Sequence, residues 1–134
     1  MTTELTVLAW GCILALVHVF AAVRVKTAQY GVQWNVGARD EELPPPRPIV
    51  GRLARAQANF FETFPVAAAA ILIVTAAGLQ DQWTATGAML WLGARVLYLP
   101  VYALGIRLLR TLIFLASIVG IALILRPAIV AGFA

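Results

Sequence analysis

Residues 52–79 read RLARAQANFFETFPVAAAAILIVTAAGL. The second half of this stretch is almost wholly apolar. The first half is not: Arg55, Asn59 and Glu62 fall at i, i+4 and i+7, on one face of a helix. The whole stretch exceeds the roughly 20 residues that cross a bilayer as a helix. An ionisable side chain inside such a span costs roughly 2.5–3.5 kcal/mol on insertion scales. A polar stripe at this depth therefore needs a partner or a use.

Working outward, three more apolar runs of spanning length follow the same rule, at about 5–25, 83–104 and 108–130. A polar segment, about 26–51, joins the first to the second and carries the run Pro44-Pro45-Pro46-Arg47-Pro48. The chain has 134 residues, of which 62% are hydrophobic and 12% charged. A soluble domain near this size still exposes roughly a third of its unfolded surface, and too few polar residues exist here to cover it. The reading is an all-α membrane protein, a bundle of four transmembrane helices in a single domain, 1–134. One cysteine, Cys12, and one histidine, His18, provide neither a disulfide nor a metal cage, so no metal is expected. The net charge of +4 follows no basic stripe on a polar helix, so no nucleic-acid partner is expected either.

Lys and Arg set the expected orientation. Arg24, Lys26, Arg39, Arg47, Arg52 and Arg55 surround the first connection, Arg107 and Arg110 the third, and none lies between the second and third spans. The positive-inside rule then places the first and third connections in the cytoplasm and both termini on the non-cytoplasmic side. Arg126 is the exception, expected to snorkel to the outer headgroups.

On the third span Arg95, Tyr98 and Tyr102 share one face, and Arg110 with Thr111 opens the fourth. Glu62 and Arg95 lie at similar depth, so an ion pair between them is expected. Above that pair, Arg55, Asn59, Tyr98, Tyr102 and Arg110 are expected to line a basic cleft for an anionic ligand gripped by guanidinium forks. Pro65 and Pro100 release the carbonyls of Phe61 and Val96, either toward this layer or as plain kinks. His18 is expected to hydrogen-bond between helices rather than to catalyse. The triple proline is expected to be a stiff connector in a mobile loop long enough to serve as a lid.

The segment Arg55-Ala56-Gln57-Ala58-Asn59-Phe60-Phe61-Glu62-Thr63-Phe64-Pro65 resembles the second-helix signature of the MAPEG family, the membrane-associated proteins of eicosanoid and glutathione metabolism. Gly93-Ala94-Arg95-Val96-Leu97-Tyr98, Tyr102 beyond it, and the arginine opening the fourth span are similar to the family as well. The resemblance implies a homotrimer, with glutathione as co-substrate held between subunits near the cytoplasmic face. Arg55, Asn59, Glu62, Tyr98, Tyr102 and Thr111 would bind it, and Arg110 would stabilise its thiolate as the catalytic residue. Arg24 or Lys26 would add a basic contact.

The implied activity is a microsomal-type glutathione transferase or peroxidase acting on small lipophilic electrophiles in a bacterial inner membrane. The alternative is a non-catalytic binding or scaffold protein of the same fold. A small transporter is a third reading, weakened because no polar line continues to the outer face. The chain departs from the pattern in two places: Ala58 replaces an arginine of several animal members, and Tyr98 stands where some carry histidine.

Overall fold

A computed structural model describes residues 1–133. Four long helices and one short one make up the chain: α1 Thr3–Tyr30, α2 Val32–Val36, α3 Pro48–Ala76, α4 Gln82–Leu104 and α5 Arg107–Gly132. All four long helices are long and apolar enough to cross a membrane. Their outward faces carry large apolar side chains in the open, Phe20 at 68% and Leu97 at 57% exposure among them. This is the surface of an integral membrane protein, whose solvent on that side is lipid.

Helix ends follow local chemistry. α1 runs five residues past its expected end because nothing from Lys26 to Tyr30 breaks it; Gly31, at φ 97°, does. α3 starts at Pro48 rather than near Arg52, with proline in the first turn where a missing N–H costs nothing. Asp81 caps α4 through the Thr84 amide at 2.8 Å, and Thr84 Oγ1 accepts in return from the Asp81 amide at 2.9 Å. That box makes the α3–α4 turn tight.

α4 and α5 form an antiparallel hairpin, α3 packs on both, and α1 lies against α3 and α4. The hairpin is close because Gly87 and Gly120 face each other. A Cβ on Gly87 would sit 2.6 Å from the Gly120 carbonyl oxygen, and one on Gly120 would sit 2.7 Å from the Gly87 oxygen. Small residues at membrane helix crossings let backbones touch in this way, where no hydrophobic drive pulls helices together. Beside the crossing, Phe60, Ile71, Val74, Trp91 and Ile124 form a core with no solvent exposure.

The connection after α1 is tied to the end of that helix by side-chain hydrogen bonds. Gln29 Nε2 donates to the Pro45 carbonyl at 3.0 Å, and Gln29 Oε1 accepts from the Arg47 amide at 2.8 Å. Tyr30 donates its hydroxyl to the Pro44 carbonyl at 3.0 Å. A proline-rich segment donates few backbone hydrogen bonds of its own; here it is held by donors from the end of α1.

Arg126 also departs from expectation. Instead of reaching alone to headgroups, its Nη2 pairs with Asp81 Oδ2 at 2.7 Å, linking α5 to the α3–α4 turn. The Thr84 amide, and then the Arg126 guanidinium, hold the Asp81 carboxyl below its usual range. A depressed carboxylate stabilises the fold above its unfolded pKa and loses that contribution as pH falls through its folded one.

Three substitutions test these contacts. Gly87→Val should destabilise the protein by about 3 kcal/mol or more, at the upper end of overpacking costs. Gly93→Ala, which meets nothing within 4 Å, should be neutral or stabilising by up to about 1 kcal/mol; denaturant unfolding in detergent measures both. Asp81→Asn should lower the melting temperature at neutral pH, and the difference from wild type should vanish as pH drops below the ordinary carboxylate range.

Candidate functional site

The polar stripes of α3 and α4 meet near the end of the bundle that carries the first and third connections. Between them and the start of α5 opens a cavity of about 380 Å³. Arg55, Asn59 and Glu62 contribute from α3, Tyr98 and Tyr102 from α4, and Arg110 and Thr111 from α5. The structure thus gathers around one space the residues expected there from α3, α4 and α5, whereas Arg24 and Lys26, expected to add a basic contact, are not among its lining residues. Ala58 and Phe114 complete the lining; Phe114 carried no sequence signal, being one apolar residue in an apolar helix.

Tyr102 organises the mouth. Its hydroxyl accepts a hydrogen bond from Arg55 Nε at 3.2 Å, and its ring lies 4.8 Å beneath the Arg110 guanidinium carbon. Tyr98 meets Tyr102 edge to face at 5.5 Å. The two cleft arginines are therefore held against one tyrosine rather than against carboxylates, and their charge stays available. Thr111 donates to the Arg107 carbonyl at 3.3 Å, leaving its oxygen free to accept.

The ion pair expected between Glu62 and Arg95 is absent. Arg95 is fully buried, and its Nη1 donates to Asn59 Oδ1 at 2.9 Å. Its guanidinium carbon lies 4.5 Å from the Tyr98 ring centroid and 5.4 Å from that of Phe60. Two ring faces and one amide oxygen surround the cation, while its Nε and Nη2 have no partner among the described residues. Among those residues the one salt bridge is that of Arg126 with Asp81.

The physical reason lies in helical phase. Asn59 and Glu62 are three residues apart, so their side chains diverge by about 60° around the axis. Asn59 turns toward Arg95 and Glu62 toward the open cleft. A desolvated cation–π contact is worth about 2 kcal/mol or more, which makes aromatic faces a workable substitute for a carboxylate.

His18 is corrected too. It is buried and stacks on Phe60 with centroids 4.7 Å apart, but neither ring nitrogen has a hydrogen-bond partner. It packs as an aromatic. A buried carboxylate that sequence reading passed over lies at the opposite end, where Glu4 accepts a hydrogen bond from Thr84. Its place at the head of α1 gave no hint of burial, because the partner is 80 residues away.

Fold and site together define a class: a four-helix membrane bundle with a basic cleft at one end, walled by its second, third and fourth spans. The chain belongs to the MAPEG family, whose model matches residues 7–129. A search of curated proteins finds no match.

The Arg95 contact yields a prediction opposite to that of an ion pair. Asn59→Ala removes the one hydrogen-bond acceptor of a buried cation and should cost about 1.5–3 kcal/mol. Glu62→Gln, in the open cleft, should change stability by no more than about 0.5 kcal/mol. Chemical unfolding of the two variants in one detergent checks the order.

Proposed function

We propose that the protein is a glutathione-dependent transferase or peroxidase acting on lipophilic electrophiles, with glutathione as co-substrate in the cleft of α3, α4 and α5. The observation that carries this reading is the charge pattern of the cavity. Arg55 and Arg110 face it without carboxylate partners, and Glu62 is the single acid among its lining residues. Such a lining suits a ligand with more negative than positive groups, one of them an ammonium. Glutathione has two carboxylates, one ammonium and a thiol, and the family includes glutathione-using enzymes. Glu62 would take the ammonium, while Arg55 would take a carboxylate as a fork. Asn59, Tyr98, Tyr102 and Thr111 would position the backbone.

The chemistry asked of Arg110 is electrostatic. A thiol with a pKa of about 8.5 is mostly protonated at neutral pH, and a nearby guanidinium favours the thiolate. Its proton leaves to water at the cleft mouth. The sulfur then bonds to the electrophilic carbon of a substrate arriving from the bilayer: in a substitution the leaving group departs with the bonding pair, and in an addition the π pair moves onto the substrate and takes a proton from water. With a hydroperoxide the sulfur takes the distal oxygen as the O–O bond breaks, the alkoxide is protonated to the alcohol, and a second glutathione releases water to form the disulfide. Arg110 keeps its own proton throughout.

This reading includes the homotrimer that the family resemblance implies; the cleft is open along one side, where Arg55 and Glu62 are exposed, and a neighbouring subunit would close it. It also places the basic end in the cytoplasm and both termini outside a bacterial inner membrane, on the Lys/Arg count. The second reading, a non-catalytic binding protein, draws on Ala58, which leaves one grip on the ligand fewer, and on Asn59, already engaged by Arg95.

Adding glutathione to the purified protein should raise the ultraviolet absorbance of a thiolate, and Arg110→Ala should abolish that rise while calorimetry still detects binding weakened by about tenfold or more. Binding without any thiolate signal in the wild type would favour the non-catalytic protein. Absence of binding would remove both glutathione readings.

A further inference from the structure

Beneath Tyr102 the cleft has a second chamber of about 300 Å³, into which four arginines converge: Arg52, Arg55, Arg107 and Arg110. No acidic residue lines it, and among the described residues none of the four is in a salt bridge. It shares Arg55, Tyr102 and Arg110 with the cavity that Glu62 lines. We propose that this chamber binds the phosphate group of an anionic ligand, carried by a lipid headgroup or by a soluble phosphate.

Orientation in the membrane requires basic residues near a connection, but it does not require them to converge. Like charges lining one space repel one another, and an anion that fills the space turns that repulsion into attraction. One of the four guanidiniums is fixed in place by the fold. Arg52 Nη1 donates to the Ala103 carbonyl at 3.3 Å, and its guanidinium lies over Gly105. A Cβ there would come within 2.9 Å of Arg52 Cζ, and Gly105 also takes the left-handed φ of 76° that ends α4. Glycine thus meets two demands at this corner: the backbone turn and the approach of Arg52.

The start of α5 supplies another wall through Ile106 and Arg107. Its N-cap residue, Ile106, makes no side-chain hydrogen bond, and no acid occupies the first turn. The positive end of a 26-residue helix is thus added to the arginines rather than offset. The donor count favours phosphate over carboxylate, since its oxygens can take several guanidinium forks at once. Leu104 and Leu108, each 72% exposed, are the chain neighbours of the lining residues Gly105 and Arg107. Arg55 and Arg110 line both cavities, while Arg52 and Arg107 line only this one, so substitutions at Arg52 and Arg107 test this site separately from the glutathione reading.

The full chain, purified in a neutral detergent, would be titrated with inorganic phosphate by calorimetry and, separately, tested by native mass spectrometry for retention of phosphatidylglycerol over phosphatidylcholine. Saturable phosphate binding would identify a soluble source, and selective phosphatidylglycerol retention a lipid source; either supports the site. Arg52→Gln and Arg107→Gln should each weaken that binding about tenfold while glutathione binding is unchanged. Arg107 is exposed, so its variant should keep the wild-type melting temperature even if Arg52→Gln does not fold. No binding of either probe above a chloride control, or equal binding by wild type and a folded Arg107→Gln, would overturn the proposal.

Discussion

A guanidinium buried at membrane depth is the constraint around which the bundle is arranged. Arg95 has no solvent exposure and no carboxylate partner. Left bare, such a charge would cost several kcal/mol, so the surrounding elements are shaped to receive it. Phe60 and Tyr98 present ring faces, and Asn59 presents an oxygen. Those contacts fix the spacing of α3 and α4, and that spacing sets the width of the cleft. The same Phe60 ring continues outward to His18, Phe64 and Trp91, with centroid distances of 4.7, 5.1 and 6.2 Å. The polar layer and the apolar core thus share one side chain.

The second consequence concerns what remains free. Because Asn59 and the rings hold Arg95, Glu62 is not consumed within the protein. Because Tyr102 holds Arg55 and Arg110 through a hydroxyl and a ring face, those arginines are not consumed either. The cleft therefore keeps both signs of charge open, in a ratio that favours a net anion. At the opposite end the arrangement is reversed: Asp81 is matched by Arg126, and Glu4 by Thr84. Those contacts tie α1 to α4, and α5 to the α3–α4 turn.

Much of this was legible in the sequence. Four apolar runs of spanning length fix the fold class, since each helix must satisfy its own backbone in lipid. Spacing on a helix is local, so Arg55, Asn59 and Glu62 could be placed on one side, as could Arg95, Tyr98 and Tyr102. What spacing does not give is phase between helices. An error of about 60° was enough to exchange Asn59 for Glu62 as the neighbour of Arg95. Aromatic faces also escape a search that matches cations with anions, which is why Phe60 carried no signal. Long-range partners such as Glu4 with Thr84, or Arg126 with Asp81, depend on how the hairpin closes at Gly87 and Gly120, which only the packed structure reveals. The strap on the triple proline depends likewise on where α1 ends.

The central claim is that Asn59 and two rings hold Arg95, so that Glu62 and the cleft arginines stay available to a ligand. An electron cryomicroscopy structure of the protein with glutathione tests it most directly. The account predicts glutathione between α3, α4 and α5, its ammonium at Glu62, its sulfur near Arg110, and Asn59 still bonded to Arg95. Glu62 turned inward to Arg95, with the ligand elsewhere or absent, would contradict it.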